Sequence, residues 1–189
     1  MKALFVTAAL VATGGIASGA HASSWLKTGG PTSIPVGHYE YCKAHRSDCR
    51  AHGGSTRPPS GRMSVLRSVN LKVNRSITEI SDRKQHGKRE VWSFPAKAGD
   101  CEDYVLAKRA ALMRRGFKPG DLRIAVGRRG GVAHAVLVVR TAEGDFVLDN
   151  MTDEILPVSR TRVRLSKMQS ATDSGEWVRV TGLTRKPAR

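Results

Sequence analysis

The chain has 189 residues, carries a formal net charge of +16, and is 40% hydrophobic but only 5% aromatic. This length suffices for one domain with its own core and is short for two. Because the basic residues are scattered along the chain and aromatic side chains are few, a stacking surface for single-stranded nucleic acid is disfavoured, and we expect no nucleic-acid partner. The charge is expected to favour solubility and loose attraction to anionic envelope components.

Residues 1–22 have the pattern of a secretory signal peptide. Lys2 precedes an uncharged apolar run that ends in Ala20-His21-Ala22, the small-x-small pattern cleaved by signal peptidase. A membrane anchor is the alternative, but the run is short and is interrupted by two adjacent glycines. Since no second hydrophobic segment follows, we predict an exported chain, periplasmic or secreted, without stable membrane insertion.

Residues 23–60 are rich in Gly, Pro, Ser and His and show no sustained hydrophobic period, which predicts a loop-rich N-terminal segment. Two of the three cysteines, Cys42 and Cys49, lie close together here. In an exported protein, a close pair and a distant third cysteine predict one disulfide and one free thiol, which is Cys101.

A zinc site is the alternative interpretation of this cysteine pair. Cys42, His45, Cys49 and His52 have the spacing C-x2-H-x3-C-x2-H, and His38 is nearby. Four such ligands can close a tetrahedral zinc site. An oxidising compartment favours the disulfide.

The remaining residues, 61–189, are predicted to form the main domain, which begins with two helices. Apolar residues at i, i+3, i+7, i+11 and i+14 from Leu66 to Ile80 form one stripe of an amphipathic helix. A polar connector leads to a second predicted helix over residues 101–115. Asp100 is the predicted N-cap of this second helix, and a glycine follows its end.

The second half of this domain is predicted to be an antiparallel sheet. Short strands are expected at residues 122–126, 132–140 and 146–149, separated by hairpin-like connections, with a final strand within residues 176–183. Residues 152–174 are polar and give no prediction. Helices followed by antiparallel strands indicate the α+β class, with the helices covering one face of the sheet.

Cys101 stands among three carboxylates, Asp100, Glu102 and Asp103, at the start of the second predicted helix. Such neighbours favour the neutral thiol over the reactive thiolate. The unpaired N–H groups of the helix N-terminus offset this effect. His134, near the start of the second predicted strand, can accept the thiol proton, so we predict that Cys101 and His134 act as nucleophile and base.

The imidazole of His134 needs a third group to fix its tautomer. A four-residue connection between the second and third strands pairs Arg140 with Asp145. Asp149 is then a diagonal neighbour of His134 on the same face of the sheet. A two-residue connection at Glu143-Gly144 would instead place Asp153 opposite His134. Asp149 is therefore the predicted third member, and Asp153 is the alternative.

Three motifs occur in order along the chain: GDCEDY at residues 99–104, VAHAVLVVR at 132–140 and DFVLDN at 145–150. In this order and spacing they resemble the bacterial transglutaminase-like cysteine proteinases, the group that includes the LapG-type periplasmic proteases. The cysteine pair, Trp92 and Trp177 also resemble its shorter members, so the resemblance covers most of the chain. One departure is Ala133, which stands where a glycine is expected before the histidine.

The resemblance implies a papain-like α+β fold and a cysteine peptidase that acts through an acyl-enzyme. Cys101 would be the nucleophile, His134 the general base and then the acid, and Asp149 the group that orients the imidazole. The backbone N–H of Cys101 and the indole N–H of Trp92 would stabilise the oxyanion.

The resemblance also implies a calcium ion and protein partners. LapG-type members bind calcium beside the nucleophile, and the matching residues here are Asp100, Glu102 and Asp103. A hard cation with oxygen ligands would neutralise these carboxylates; alternatively, they only cap a helix. The substrate would be an envelope or surface protein such as a large adhesin, and an inner-membrane protein would regulate the enzyme.

Two other functions stay open at the level of sequence. The same triad can transfer the acyl group to an amine in a transglutaminase or amidase reaction. The chain could also be a non-catalytic basic module that binds an anionic envelope polymer. Only the enzymes require Cys101 and His134 to lie close together in space.

Overall fold

The structure, a computed structural model, describes residues 23–185, so the predicted signal peptide over residues 1–22 lies outside the described residues. The helices are α1 (Val36–Ala44), α2 (Met63–Ser76), α3 (Asp82–His86) and α4 (Cys101–Met113). The strands are β1 (Ser24–Pro31), β2 (Thr78–Glu79), β3 (Ala98–Gly99), β4 (Leu122–Arg129), β5 (Val132–Thr141), β6 (Gly144–Leu148), β7 (Leu156–Pro157), β8 (Arg164–Gln169) and β9 (Trp177–Arg185). Within this part of the chain, no helix is long and apolar enough to cross a membrane.

Seven strands form one antiparallel sheet in the order β1-β9-β8-β4-β5-β6-β7, and β2 and β3 form a separate parallel pair. The sheet curls, because edge strand β1 returns to the β5–β6 hairpin. There the N–H of Leu26 donates to Asp145 Oδ2 at 2.7 Å, and Arg140 Nη2 donates to the Leu26 carbonyl at 3.2 Å. The predicted α+β class with an antiparallel sheet is confirmed.

Strand β5 has apolar side chains on both faces of the sheet. Ala135, Leu137 and Val139 belong to a core that also contains buried residues of α2 and α4. Val136 and Val138 pack in a second, smaller core on the other face. This alternation follows from the period of two in a strand, and it explains why β5 appears in the sequence as a continuous hydrophobic run.

The first predicted helix ends earlier than its apolar stripe. The stripe continues to Ile80, but α2 stops at Ser76, and Ile77 is extended with φ −118° and ψ 132°. The chain leaves the helix here because β2 pairs with β3 directly before α4. The hydroxyl of Tyr104 on α4 also donates to the Ile77 carbonyl at 2.6 Å. Tertiary pairing therefore overrides the helical period.

Residues 23–60 are more ordered than the predicted loop-rich segment, because they include β1 and α1. Strand β1 pairs with β9, from the far end of the described chain, and Tyr41 of α1 is buried in the main core. Local sequence could not indicate either contact. The predicted disulfide is present and joins Cys42 at the end of α1 to Cys49, with the two Cα atoms 5.5 Å apart.

Strand β8 lies inside the sheet, between β9 and β4, although residues 152–174 gave no prediction. It is held there by long-range contacts rather than by a hydrophobic run. Met168 is fully buried, and the side-chain oxygen of Gln169 accepts the N–H of Ile124 at 2.9 Å. A polar residue thus fills a core position because a neighbouring strand supplies its hydrogen bond.

The two hairpins around β5 set the position of the functional residues. Strand β4 extends to Arg129, beyond the predicted end at residue 126, because Gly130 and Gly131, with φ 56° and 85°, form the whole turn. Strands β5 and β6 pair in the predicted register, with Arg140 opposite Asp145. The turn itself is tighter than expected, because the residues flanking it also pair.

Candidate active site

A cleft of about 570 Å³ opens where the N-terminus of α4 meets strands β4, β5 and β8. Cys101 and His134 both line this cleft. They reach it from different elements, since Cys101 is the first residue of α4 and His134 lies near the start of β5. Helix packing against the sheet therefore brings the thiol and the imidazole to one cavity.

The sulfur of Cys101 lies against β5 beside His134. The backbone N–H of Ala135, the next residue along the strand, donates to Cys101 Sγ at 3.4 Å. The thiol itself donates to Glu102 Oε2 at 2.8 Å. Because Cys101 begins α4, its own N–H has no acceptor within the helix and is available to a group bound in the cleft.

His134 is held by Asp149. Its Nε2 lies 2.8 Å from Asp149 Oδ1, and both side chains are buried. Asp149 immediately follows β6, on the diagonal that the strand register predicts. The alternative, Asp153, instead accepts a hydrogen bond from Asn74 Nδ2 at 3.0 Å. The imidazole therefore keeps Nδ1 for a partner other than Asp149.

Two further donors hold the Asp149 carboxylate. Arg129 Nη1 donates to Oδ2 at 2.6 Å, and the N–H of Met151 donates to Oδ1 at 3.0 Å. Burial acts to raise the pKa of Asp149, but the hydrogen bonds from His134 and Met151 and the charges of His134 and Arg129 outweigh it, so the pKa lies below its ordinary value. Asp149 is therefore ionised at neutral pH.

The thiol is electrostatically hindered in this arrangement. Burial, followed by the negative charge of Glu102, raises the pKa of Cys101 above its ordinary value. Burial and then the charge of Asp100 in turn raise the pKa of Glu102 to about 8. The thiolate accordingly needs compensating positive charge near the start of α4.

Three carboxylates, one of them from the residue before Cys101, form a close cluster: Asp82, Asp100 and Asp103 each have an oxygen within 4.8 Å of the others. One oxygen of each is buried without a hydrogen-bond partner in the described structure. Burial raises the pKa of Asp103 to about 6 and, with the nearby charge of Asp82, also raises that of Asp100. Such unpartnered oxygens suit a hard cation.

This cluster differs from the predicted set of Asp100, Glu102 and Asp103. Glu102 directs an oxygen to the Cys101 thiol, whereas Asp82 joins the cluster from the start of α3. Asp100 occupies the predicted N-cap position of α4 but makes no side-chain cap. Its Oδ2 instead accepts the N–H of Asp82 at 3.2 Å, which draws the α3 segment to the site.

Trp92 also lines the cleft, but its indole N–H is already used. It donates to Glu90 Oε1 at 3.2 Å. The predicted oxyanion role therefore has no support in this structure, because a donor bound to a carboxylate is not free for a second acceptor. The ring instead packs edge-on against Trp177, with centroids 6.3 Å apart.

The Cys42–Cys49 pair is a disulfide and not part of a zinc site, because zinc binds thiolates. His38 lies beside both sulfurs and accepts the indole N–H of Trp177 at 3.2 Å. Burial, and then the charge of Arg109, lowers the pKa of His38 to about 4. The other two histidines of the zinc hypothesis, His45 and His52, lie outside this group.

Sequence reasoning missed several charged residues at or near the site, among them Asp82, Arg129 and Lys108. Asp82 lay in an unremarkable polar connector, and Arg129 in a segment expected to be a hairpin connection. Lys108 is fully buried on α4, its Nζ has no hydrogen-bond partner in the described residues, and burial lowers its pKa to about 7. A lysine within a helix that is otherwise mostly apolar was the one available signal.

Comparison with known proteins gives the family of the chain and solved structures of similar fold. The family model of the bacterial transglutaminase-like cysteine proteinases (BTLCP) matches residues 28–185. The calcium-bound LapG structure of Legionella pneumophila is 22% identical, with a TM-score of 0.54 over 69% of this chain and 75% of that chain. The EGTA-treated LapG structure from the same organism is 25% identical, with a TM-score of 0.53 over 65% and 70% of the two chains. A search of curated proteins gave no match.

The LapG likeness establishes a transglutaminase-like fold, with helices packed on a curled antiparallel sheet. The family model extends upstream of residue 61, where the main domain was predicted to begin, and includes most of β1 and all of α1. Since the model spans most of the sequence, the chain belongs to the bacterial transglutaminase-like cysteine proteinase family and is a cysteine peptidase.

Proposed function

We propose that this peptidase hydrolyses a peptide bond of an envelope or surface protein, with Cys101 as nucleophile, His134 as base and Asp149 as the orienting carboxylate. One observation supports this most strongly. The Asp149 carboxylate holds one ring nitrogen of His134 at 2.8 Å, while the residue after His134 contacts the sulfur of Cys101 at 3.4 Å.

The reaction follows from these contacts. His134 Nδ1 takes the thiol proton, and the thiolate adds to the carbonyl carbon of the scissile bond. The tetrahedral intermediate collapses to an acyl-enzyme at Cys101 as His134 returns the proton to the leaving amine. Water, deprotonated by His134, then hydrolyses the thioester. Asp149 stabilises the imidazolium in both halves.

The backbone N–H of Cys101 is the proposed oxyanion donor. It lies at the helix N-terminus, where unpaired N–H groups and the helix dipole favour negative charge. The proposed donor is a backbone group, so it does not depend on the side chain of any other residue. We assign no oxyanion role to Trp92, whose indole N–H donates to Glu90.

We propose that calcium binds at Asp82, Asp100 and Asp103. The unpartnered carboxylate oxygens and the oxygen-only ligand set support a hard cation, and one of the structural neighbours is described as calcium-bound LapG. When bound, the ion supplies positive charge close to the thiol. Burial, then the charge of Glu102 and that of Asp100, raises the pKa of Cys101, and a bound cation would offset the two charges.

The location and partners are proposed from sequence. The signal pattern in residues 1–22 supports export to the periplasm or beyond, and the net charge of +16 is suited to an anionic envelope. A large surface adhesin as substrate and regulation by an inner-membrane protein are proposals by family analogy.

The test is to incubate the wild-type protein and Cys101→Ala with envelope proteins of the source cell and to sequence new fragments. We expect a discrete fragment from the wild type only, with a free carboxyl terminus at the cut. An amine adduct at that terminus would instead indicate acyl transfer. If neither protein yields a fragment, while iodoacetamide labels Cys101 equally fast in wild type and in His134→Ala, the proposed triad is wrong.

A further inference from the structure

Two arginines face each other in one wall of the cleft. Arg128 on β4 and Arg164 on β8 are directly opposite in the strand register. Both are exposed, and both line the cleft that contains Cys101. Like charges in opposite positions on neighbouring strands destabilise a sheet, so this pair calls for a physical explanation.

Neither arginine has a carboxylate partner. Among residues 23–185, the salt bridges of arginine join Arg129 to Asp149 and Arg140 to Asp145. Arg128 donates only to a turn carbonyl. Arg128 and Arg164 therefore have no salt bridge within the described residues, whereas Arg129, the neighbour of Arg128 on β4, has one.

The acids of the cleft are already engaged on its helix side. Glu90 accepts a hydrogen bond from the Trp92 indole N–H at 3.2 Å, Asp100 from the Asp82 N–H at 3.2 Å, and Glu102 from the Cys101 thiol at 2.8 Å. One oxygen of each carboxylate thus has a donor on the helix side, and within the described residues none of the three forms a salt bridge with Arg128 or Arg164. The wall of the cleft formed by β4 and β8 therefore keeps the positive charges of Arg128 and Arg164.

We propose that Arg128 and Arg164 bind the carboxylate of an Asp or Glu side chain of the substrate, close to the bond that is cut. This inference rests on the proposed function, because it takes the cleft around Cys101 as the substrate site. Guanidinium groups bind carboxylates through paired N–H donors, and a carboxylate between two arginines relieves their repulsion. Arg89, also exposed in the cleft, adds positive potential that attracts acidic segments. The substrate class is thus a protein cut within an acidic stretch.

The first experiment measures binding without catalysis. The Cys101→Ala protein is titrated into fluorescein-labelled octapeptides, one of alternating Glu and Ala and one of alternating Gln and Ala. Binding is measured as the rise in fluorescence anisotropy of the peptide. We expect the Glu peptide to bind more tightly than the Gln peptide, and its binding to weaken as salt is added. Adding Arg128→Gln and Arg164→Gln should weaken Glu-peptide binding about tenfold, the loss expected for one charge-assisted interaction of about 1.4 kcal/mol.

A matched control separates the site from the overall charge. Arg75→Gln with Arg179→Gln in the same background removes the same charge from exposed positions outside the cleft. Binding of the Glu peptide should change less than twofold. Equal weakening by both double variants would overturn the proposal, because attraction would then depend on net charge alone. Both double variants should melt no lower than the parent, and Arg128→Gln with Arg164→Gln removes a repulsion.

The second experiment measures cleavage preference. A proteome-derived peptide library is digested with the active enzyme and its cut sites are sequenced. We expect Asp or Glu to be enriched within about three residues of the cut, as the span of one subsite on an extended chain allows. Enrichment should be lost in Arg128→Gln/Arg164→Gln and replaced by Lys or Arg in Arg128→Glu/Arg164→Glu.

The possible outcomes distinguish the acidic subsite from the peptidase activity itself. Cleavage without acidic enrichment, or enrichment that survives the double substitution, overturns the acidic subsite and leaves the peptidase intact. If the active enzyme cuts nothing in the library, the proposed function fails, and the binding experiment alone then decides whether Arg128 and Arg164 recognise acidic peptides.

Discussion

Arg129 holds the oxygen of Asp149 that His134 does not use. Its Nη1 lies 2.6 Å from Oδ2, while His134 Nε2 lies 2.8 Å from Oδ1. A carboxylate fixed at both oxygens cannot rotate, so the imidazole that it binds has one orientation. In the proposed mechanism, Arg129 therefore acts through Asp149, without touching the thiol.

We expect Arg129→Gln to lower kcat roughly tenfold with little change in KM, because one charge-assisted hydrogen bond is lost away from the substrate. The charge of Arg129 helps to keep the pKa of Asp149 low. Its removal should therefore shift the acidic limb of the rate profile to higher pH. Arg129→Lys should return the acidic limb to its wild-type pH. An unchanged pH profile in Arg129→Gln would contradict this role of Arg129.

The choice between Asp149 and Asp153 has a direct test. Asp149→Asn should lower kcat by roughly 10³ to 10⁴, since an amide neither stabilises the imidazolium nor fixes its tautomer. Asp153→Asn is the matched control, because Asp153 bonds to Asn74 rather than to the imidazole. Its activity should stay within twofold of wild type. Equal losses of kcat in the two variants would contradict the choice of Asp149 over Asp153 as the orienting carboxylate.

The positions of Cys101, His134 and Asp149 in the fold were predictable because each lies at or near the end of a regular element with a clear signature. An N-cap residue before a predicted helix, a hydrophobic strand and a strand followed by Asp-Asn indicated where each would lie. The β5–β6 register was also predictable, since the connection between the strands is short. Short-range rules were sufficient for these residues.

Asp82, Arg128 and Arg164 were not predictable, because their roles depend on pairings between distant segments. Asp82 reaches the site through a hydrogen bond to Asp100. The two arginines face each other only because β8 inserts beside β4, and β8 has too few apolar residues to be recognised from its sequence. Their significance required the three-dimensional register.

Calcium should stabilise the protein increasingly as pH rises. The pKa of Asp103 is raised to about 6 and that of Asp100 is also raised, so the native state holds protons that the unfolded chain has released. Without metal, stability should accordingly fall as pH rises from about 4, the ordinary carboxylate value, through 6. Calcium binds the deprotonated form, so its effect on Tm should be larger at pH 8 than at pH 5.

The size and specificity of this effect can be measured by thermal melting with calcium or EGTA. At a calcium concentration about 100 times Kd, stabilisation of about 2.7 kcal/mol is expected, or roughly 5 to 11 °C in Tm for a domain of this size. Asp82→Asn should abolish most of the shift, whereas Glu154→Gln, an exposed acid outside the cluster, should keep it. A shift that survives Asp82→Asn would show that calcium binds elsewhere.

The Cys42–Cys49 disulfide should stabilise the fold without taking part in the chemistry. Its sequence separation of 7 residues corresponds to about 2 kcal/mol of unfolded-state entropy at 25 °C, so replacing both cysteines by serine should lower the free energy of unfolding in urea by about that amount. Buried His38, packed against both sulfurs and Trp177, should keep α1 docked in the folded state. Iodoacetamide labelling of Cys101 should then proceed at the wild-type rate, whereas slower labelling of the folded variant would show that the disulfide also shapes the cleft.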